Sequence, residues 1–237
     1  MFTLFFVTPE ELQREQIRLT GSQAHHALSV LRVQKREMIR LADGEGNWIE
    51  GEITELAKDS LTVHVAKHGA DKKPKTSITV AQALLKGDNQ KAALDQLVQA
   101  GVEAILPWQA ERSVGAQDKS EKWREVIVAA ARQSRRSQIP ELIPMTNLHG
   151  LIAVSAKFDV VIALHESGSS TLSSINKISD AKNLLAIIGP EGGLSDGELD
   201  QLSHKGIPLV KLGDPVIRAD LAGAIAVGAI NVLTKEW

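Results

Sequence analysis

The pattern of apolar and polar positions divides the chain into two parts with different secondary structure. In the first part, up to about residue 70, short alternating runs predict strands at FFV, around Ile17 to Leu19, in EMIRLADGEGNWIEGEITEL and in SLTVHVAKH. Asp43-Gly44 separates two of these runs and indicates a hairpin. The segment SQAHHALSVLR has helical spacing, with Ser22 as the expected cap. We therefore predict a small, mostly antiparallel β unit of barrel-like size.

The second part alternates strands and helices. Strands are predicted at SITVAQALL, VEAILPW, FDVVIALHE, NLLAIIG and PLVKLG, and helices at DNQKAALDQLVQAG, KSEKWREVIVAAARQSRR, SDGELDQLSHKG and from about Asp220 onwards. Because the strands are continuously apolar, helices must cover both faces of their sheet, as in parallel α/β sheets. The charged stretch ADKKPKTS is the natural linker. We expect domains over residues 1–72 and 73–237.

Composition narrows the possible functions. The chain is 237 residues long, with 43% hydrophobic and 24% charged residues, as in ordinary globular proteins. It has no cysteine, which excludes disulfides, thiolate metal sites and thiol nucleophiles and fits a reducing cytosol. The apolar start MFTLFFV is too short for a signal core or a membrane span. We expect a cytoplasmic protein without a membrane segment.

The net charge of −2 argues against a protein that holds nucleic acid through overall positive charge. Any contact with RNA must use local basic groups instead. Three such groups are Arg32 with Lys35, Arg36 and Arg40; Lys72 with Lys73 and Lys75; and Arg132 with Arg135 and Arg136. Taken alone, each is more simply a solvated surface.

The segment LLAIIGPEGGLSDGELDQL carries the clearest chemical signal. An apolar strand runs into the glycine-rich loop Gly189 to Gly193, and Ser195 and Glu198 are spaced as a capping box for the next helix. Open α/β sheets bind ligands at the carboxyl ends of their strands, where glycines let the backbone approach closely. The spacing matches neither common phosphate-binding loop. A turn that merely requires glycines remains the alternative to a ligand site.

Two further segments end strands in the same part of the chain. IALHE ends with Leu164, His165 and Glu166, and VKLGDPVIRADLAGA passes through Gly213 and Arg218 before the last helix. Three such loops can meet at one pocket. No second histidine is spaced to share a metal with His165, so no metal is expected, and the absence of a GxSxG elbow argues against a Ser-His-Asp hydrolase.

The combined motifs resemble a known family. IIGPEGGLSDGEL and KLGDPVIRADLAGAIA are similar to the signature of the SPOUT-class ribosomal RNA small subunit methyltransferase E family, whose members methylate N3 of a uridine in 16S ribosomal RNA. HHALSVLR, LLKGD, AGVEAILPWQAERSV and KWREVIVAAARQSRRSQIPEL resemble further family segments in the same order. The resemblance implies a small N-terminal PUA-like β-barrel followed by a SPOUT α/β domain with a parallel sheet and a C-terminal trefoil knot, acting as a homodimer.

The resemblance also implies a site for S-adenosylmethionine and an RNA-binding surface. The cofactor would be held by Leu164, His165, Glu166, Ile188, Gly189, Pro190, Glu191, Gly192, Gly193, Leu212, Gly213, Val216, Ile217 and Arg218. The RNA partner would be 16S ribosomal RNA or the small ribosomal subunit. The residues that would hold it are His26, Arg32, Lys86, Arg112, Arg132, Arg135 and Arg136. Small residues, Ala222, Gly223, Ala224, Ala226 and Gly228, would let the last helix pack closely against its own knot and a partner subunit.

Arg218 is the first candidate for catalysis, because a guanidinium can stabilise negative charge that develops on the uracil oxygens. Glu191 is a weaker candidate for handling the N3 proton. An ion pair of Arg218 with Asp214 or Asp220 that only shapes the loop is the alternative. Among the few aromatic residues, Trp48 and Trp108 are candidates for base stacking, although a core position is the commoner role for both.

The sequence departs from the family at several positions. The usual arginine is missing from MFTLFFV, and Gln96, Gln99 and Arg132 replace family residues of different charge. Ala219, Asp220 and Leu221 stand where a Thr-Glu-Thr run is usual. Two other functions stay open: an RNA-binding ribosome-assembly factor of the same fold without catalysis, of which these departures would be the trace, and a small-molecule enzyme that binds ATP or NAD.

Overall fold

The computed structural model describes residues 2–114 and 119–237. Within them the chain forms two compact units: Met1–Lys73 together with Ala131–Ile139, and Pro74–Ala130 together with Pro140–Trp237. The segment Ala131–Ile139 therefore packs with the first unit, although it lies far outside the range 1–72 expected for the first domain. Asp71 contributes to this packing, since its Oδ2 accepts a hydrogen bond from the Ser137 backbone at 3.1 Å.

The first unit is built on a five-stranded sheet. Its elements are β1 (Thr3–Phe6), α1 (Pro9–Leu12), β2 (Gln16–Leu19), α2 (Gly21–His25), β3 (Met38–Ala42), β4 (Asn47–Leu56) and β5 (Leu61–Ala70), with strand order β1-β3-β4-β5-β2. All pairs are antiparallel except β1 with β3. The inward positions, among them Phe5, Ile39 and Val63, form one buried core. The expected hairpin at Asp43 is confirmed, with its carboxylate accepting from the Glu45 and Asn47 backbone at 2.7 and 3.1 Å.

The helix predicted in SQAHHALSVLR is present, but its form and its first residue differ from the prediction. It is a single α-helical turn, α2, followed by a π-helical segment from His26 to Leu31 that ends at Arg32 in the left-handed conformation, φ 54°. The expectation that Ser22 caps it is wrong, because α2 begins at Gly21 and places Ser22 inside the helix. Wider π turns accommodate an inserted residue and often lie at functional sites.

The second unit is an α/β layer structure. Its elements are β6 (Ser77–Ala83), α3 (Asp88–Gln99), β7 (Ala104–Gln109), α4 (Ser120–Ser134), β8 (Glu141–Leu142), β9 (Thr146–Asn147), α5 (Leu148–Ser155), β10 (Val160–Leu164), β11 (Ser170–Thr171), β12 (Asn183–Ile188), α6 (Asp196–His204), β13 (Leu209–Lys211) and α7 (Ala219–Leu233). Of α4, the residues from Ala131 onwards belong to the first unit. Among the described residues the sheet follows the order β11-β13-β10-β12-β6-β7-β8, with β9 beside β7. Every pairing is parallel, as the apolar strands predicted.

The strand order brings β13, β10, β12 and β6 together at the centre of the sheet, so the loops that follow them share one edge. Close packing of α7 against α3 and β6 depends on Gly223, where an added Cβ would lie 2.9 Å from Leu97 Cδ2 and 3.5 Å from Val80 Cγ1. The trefoil knot stays a prediction. In the described part of the chain, we find no helix with the length and apolar character needed to span a membrane.

Candidate functional site

A cavity of about 1000 Å³ opens where β10, β12 and β13 end. Its walls include every residue expected from the sequence to hold the cofactor: Leu164, His165, Glu166, Ile188, Gly189, Pro190, Glu191, Gly192, Gly193, Leu212, Gly213, Val216, Ile217 and Arg218. The fold thus brings together three loops that are separated by tens of residues. A cavity of this size fits a cofactor built from an amino acid and a nucleoside.

The glycine-rich loop passes from β12 into α6 with a tight turn. Gly193 has φ +70° and donates from its backbone N–H to Pro190 O at 2.9 Å. The capping box predicted for α6 is confirmed: Ser195 Oγ accepts from the Glu198 backbone at 3.3 Å, and Glu198 Oε2 accepts from the Ser195 backbone at 2.8 Å. This reciprocal cap holds the C-terminal end of the loop at the start of the helix.

Sequence reasoning missed a second role of this cap. Glu198, which is 4% exposed, also accepts from the Glu111 backbone at 2.9 Å through Oε1, and Ser195 Oγ donates to Glu111 Oε2 at 2.5 Å. Arg112 follows directly and donates from Nη1 to Gly192 O at 3.0 Å and Leu194 O at 3.2 Å. The loop after β7 therefore stabilises the glycine-rich loop and its helix cap through hydrogen bonds.

The two tryptophans considered for base stacking occupy different environments. Trp108 is fully buried, and its Nε1 donates to Ile188 O at 3.1 Å, so stacking on RNA is excluded and the indole instead supports the end of β12. Trp48 is half-buried in the first unit, where the Arg40 guanidinium lies 4.1 Å and Lys67 Nζ 5.5 Å from the ring centroid. The ring is therefore in contact range of two cations of its own unit, and base stacking on Trp48 stays a prediction.

Glu191 connects the glycine-rich loop to the start of α3. Its Oε1 accepts from Asn89 Nδ2 at 2.9 Å and from the Lys86 backbone at 3.1 Å. Burial raises the pKa of Glu191, but the hydrogen bonds from Asn89, its own backbone and Lys86, together with the charge of Arg218, outweigh burial and lower the pKa overall. The carboxylate is therefore ionised at neutral pH, with an oxygen already engaged.

Arg218 contacts the Asn89 side-chain amide through its oxygen, whereas Glu191 contacts the same amide through its nitrogen. Arg218 Nε donates to Asp220 Oδ1 at 3.0 Å, and its Nη2 donates to Asp220 Oδ2 at 3.3 Å and to Asn89 Oδ1 at 3.2 Å. The ion pair with Asp220 considered from the sequence is thus present, whereas Asp214 pairs with Lys211 at 3.1 Å. The Arg218 side chain is nonetheless 71% exposed, so most of it is accessible in the cavity wall.

His165 is held at the end of β10 by its own loop. Its Nδ1 accepts from the Ser167 backbone at 3.2 Å and lies 2.7 Å from Ser167 Oγ. Within residues 2–114 and 119–237, no three His, Asp or Glu side chains are grouped so that they could hold a metal ion.

The basic residues assigned to RNA fall into both units. Lys86 and Arg112 belong to the second unit, and both contact the glycine-rich loop, Lys86 through its backbone. In the first unit lie His26, Arg32, Arg132, Arg135 and Arg136. Arg32 and Arg135 have left-handed backbones, φ 54° and 59°, and both side chains are exposed. Burial lowers the pKa of the Arg132 guanidinium, which remains charged.

Family models and relatives of known name match this chain along nearly its whole length. A family model described as an RNA methyltransferase domain matches residues 71–231, and one described as an RNA methyltransferase PUA domain matches residues 19–66. The ribosomal RNA small subunit methyltransferase E of Mycobacterium tuberculosis is 32% identical over 227 residues, which cover 92% of this chain and 86% of the relative. That of Bacillus subtilis is 27% identical over 244 residues, 95% of each chain.

Solved structures also resemble this fold over nearly the whole chain. The ribosomal RNA small subunit methyltransferase E of Neisseria gonorrhoeae, bound to S-adenosyl methionine, superposes with a TM-score of 0.88 at 25% identity over 98% of each chain. A methyltransferase of Legionella pneumophila in complex with the same cofactor gives 0.87 at 26% identity, again over 98% of each. Since the RNA methyltransferase domain model matches more than half of the chain and the Mycobacterium tuberculosis relative is 32% identical over 92% of it, the chain belongs to the ribosomal RNA small subunit methyltransferase E family.

Proposed function

We propose that this protein transfers a methyl group from S-adenosylmethionine to N3 of a uridine in 16S ribosomal RNA. The observation that carries the proposal is the convergence of the three strand-end loops on one cavity, with the exposed guanidinium of Arg218 in its wall. The coarser activity, methylation of ribosomal RNA with this cofactor, is the activity of the family.

The cavity residues fit the cofactor chemically. The glycine-rich loop offers backbone N–H and C=O groups without side chains in the way, which suits the polar parts of an amino acid and a nucleoside. Leu164, Ile188 and Leu212 supply apolar surface for a purine ring. S-adenosylmethionine, when bound, supplies the methyl group on a positively charged sulfur. The residues around it need only bind it, orient it and exclude water.

Arg218 is assigned the stabilisation of negative charge on the uracil. Removal of the imide proton from N3 spreads charge onto O2 and O4, and a guanidinium donates to such oxygens while staying charged at all relevant pH values. Asp220 and Asn89 hold the group in place before the substrate arrives, so little reorganisation is needed. The exposed part of the guanidinium is the part that would meet the base.

Glu191 is a poor proton acceptor for this step. Efficient general bases have pKa values near the working pH, whereas the pKa of Glu191 is lowered. Its hydrogen bonds to Asn89 and Lys86 favour a role in joining the glycine-rich loop to α3. We assign it that role and leave the proton to solvent water or to the RNA itself.

The RNA substrate must present an unpaired or flipped uridine, because N3 is engaged in a base pair otherwise. We propose that the first unit holds the flanking RNA through His26, Arg32, Arg132, Arg135 and Arg136, and that Lys86 and Arg112 contact it beside the cavity. Activity on ribosomal RNA would place the protein in the cytoplasm.

The homodimer is proposed from α7. Leu221, Ile225 and Val232 are 41%, 39% and 60% exposed, and their spacing places them on one face of the helix. Ala222, Ala226 and Ile230 fill the opposite, buried face. A helix that is apolar all round must be covered on both sides, and a second copy of α7 would cover the exposed face.

One experiment tests the activity directly. Purified protein is incubated with methyl-labelled S-adenosylmethionine and 16S ribosomal RNA or small subunits from a strain that lacks the gene, and the nucleosides are analysed. We expect label in 3-methyluridine. Label in another nucleoside would refute the N3 assignment, and the absence of saturable cofactor binding in a titration would favour the assembly-factor alternative. Tight binding of ATP or NAD instead would favour a nucleotide-dependent enzyme.

A further inference from the structure

We propose that Asn89 is a positioning residue that sets the direction of the Arg218 guanidinium by joining it to Glu191. This inference rests on the proposed role of Arg218 in methyl transfer. Asn89 lies in the cavity wall, and its amide donates to Glu191 Oε1 at 2.9 Å while its carbonyl accepts from Arg218 Nη2 at 3.2 Å.

The orientation of the Asn89 amide follows from its neighbours. An ionised carboxylate only accepts hydrogen bonds and a guanidinium only donates them, so the amide must turn its NH₂ to Glu191 and its oxygen to Arg218. A primary amide can satisfy both groups at once without adding a charge. Asn89 therefore separates an anion from a cation that would otherwise attract each other directly.

The backbone around Asn89 is itself well held. Gly87 precedes α3 with φ +57°, a conformation that favours glycine, and the Asn89 N–H donates to Lys86 O at 3.3 Å. Gln90 Oε1 accepts from the Leu85 backbone at 2.9 Å and fixes the same junction. The amide is thus presented to the cavity from the first turn of α3, whose start is held by these hydrogen bonds.

The arrangement gives Arg218 two different restraints. Asp220, two residues along the same segment, pairs with Nε and Nη2 and orients the fork locally. Asn89, which is 129 residues away in sequence, ties Nη2 to the other side of the cavity. Without Asn89, Glu191 loses a donor and can pair with Arg218 directly, which would turn the guanidinium away from the uracil. A misplacement of about 1 Å can cost roughly a hundredfold in rate.

A double-mutant cycle on the single-turnover methyl-transfer rate tests the inference. We expect Asn89→Ala to lower the rate about tenfold or more, and to have no further effect in an Arg218→Ala background, because it acts through that residue. The dissociation constant for S-adenosylmethionine should change by less than about threefold across the cycle. Effects that multiply in the double variant would overturn the inference while leaving the proposed function intact. A normal rate for Arg218→Ala would instead overturn the role of Arg218 on which the inference rests.

Two further variants separate bridging from packing. Asn89→Asp has the same shape but replaces the donor to Glu191 with a second carboxylate, so we expect a loss at least as large as for Asn89→Ala; a normal rate would overturn the inference. Asn147→Ala is the matched control, since Asn147 also lies at a helix start and accepts from the Gly150 backbone at 3.0 Å, but does so outside the cavity. It should leave the rate unchanged.

A readout independent of turnover keeps the test decisive. The side-chain Nε–H resonance of Arg218, assigned in a nitrogen–proton NMR spectrum by its loss in Arg218→Lys, reports the position of the guanidinium. Asn89→Ala should shift or broaden this resonance, and Asn147→Ala should not. An Arg218 resonance that is identical in the wild type and Asn89→Ala would overturn the inference even if the rates agreed with it.

Discussion

Arg112 and Gly192 are joined by a 3.0 Å hydrogen bond from the guanidinium Nη1 to the glycine carbonyl oxygen. The same nitrogen donates to Leu194 O at 3.2 Å, so one side chain holds two carbonyls of the glycine-rich loop. A residue that the sequence assigned to the RNA surface thus also stabilises the wall of the cavity. The loop is preorganised for a ligand because its polar groups are held before the ligand arrives.

Gly192→Val should weaken the binding of S-adenosylmethionine. A Cβ at Gly192 would lie 3.3 Å from Arg112 Cβ, and the two further methyl groups of valine have to displace Arg112 or the loop. A shifted loop no longer presents its backbone groups to the ligand at hydrogen-bond distance, and loss of one such bond to a charged group, about 1.5–3 kcal/mol, corresponds to roughly tenfold or more in affinity. Calorimetric titration measures the change. Gly197→Val in the first turn of α6 is the control, because an added Cβ there meets only Ser195 Oγ at 4.0 Å; equal affinities for the two variants would place the cofactor elsewhere.

Arg218→Lys should separate chemistry from binding. Lysine keeps the positive charge but cannot donate to Asp220, Asn89 and a uracil oxygen from one planar group. We expect methyl transfer to fall by about two orders of magnitude, as when a donor to a developing oxyanion is removed. Cofactor affinity should change far less. A variant that turns over normally at saturating RNA would contradict the assignment.

Ile225→Glu should convert a dimer into a monomer. Ile225 lies at the middle of the exposed apolar stripe of α7, and burial of an unpaired carboxylate there would cost several kcal/mol. At micromolar concentration the wild type should sediment with twice the chain mass of 25.6 kDa, and the variant with the chain mass itself. Val30→Glu, at a valine of the first unit that is 61% exposed, should stay dimeric. A monomeric wild type would refute the dimer.

Arg135→Gly should weaken RNA binding while stabilising the protein. The arginine adopts φ 59°, which costs a residue with a Cβ about 1–2 kcal/mol relative to glycine. The glycine variant should therefore melt at a higher temperature than Arg135→Ala. Both variants lose the same charge, so both should reduce the slope of log affinity against log salt by about 0.7 to 0.9. An unchanged slope would show that Arg135 makes no phosphate contact. For both variants, turnover at saturating RNA should change little.

Most of the secondary structure followed from the sequence because its signals are local. Apolar runs of five residues produced β10 and β12, and a hydroxyl and a carboxylate three residues apart produced the cap of α6. The position of the glycine-rich loop was predictable for the same reason, since a strand, a loop and a helix follow one another along the chain. The motifs on these loops were also enough to indicate the family.

The contacts that organise the site depend on residues far apart in sequence. Asn89 meets Glu191 and Arg218 across separations of 102 and 129 residues, and only the order β13-β10-β12-β6 brings their loops together. For Trp108 the sequence left stacking open beside the commoner core position, and only the register of β7, which brings its indole Nε1 to Ile188 O, decided for the core. The packing of Ala131–Ile139 with the first unit is of the same kind. Periodicity in the sequence determined which residues form each strand and helix, whereas hydrogen bonds between strand-end loops depend on the strand order and register that only tertiary packing decides.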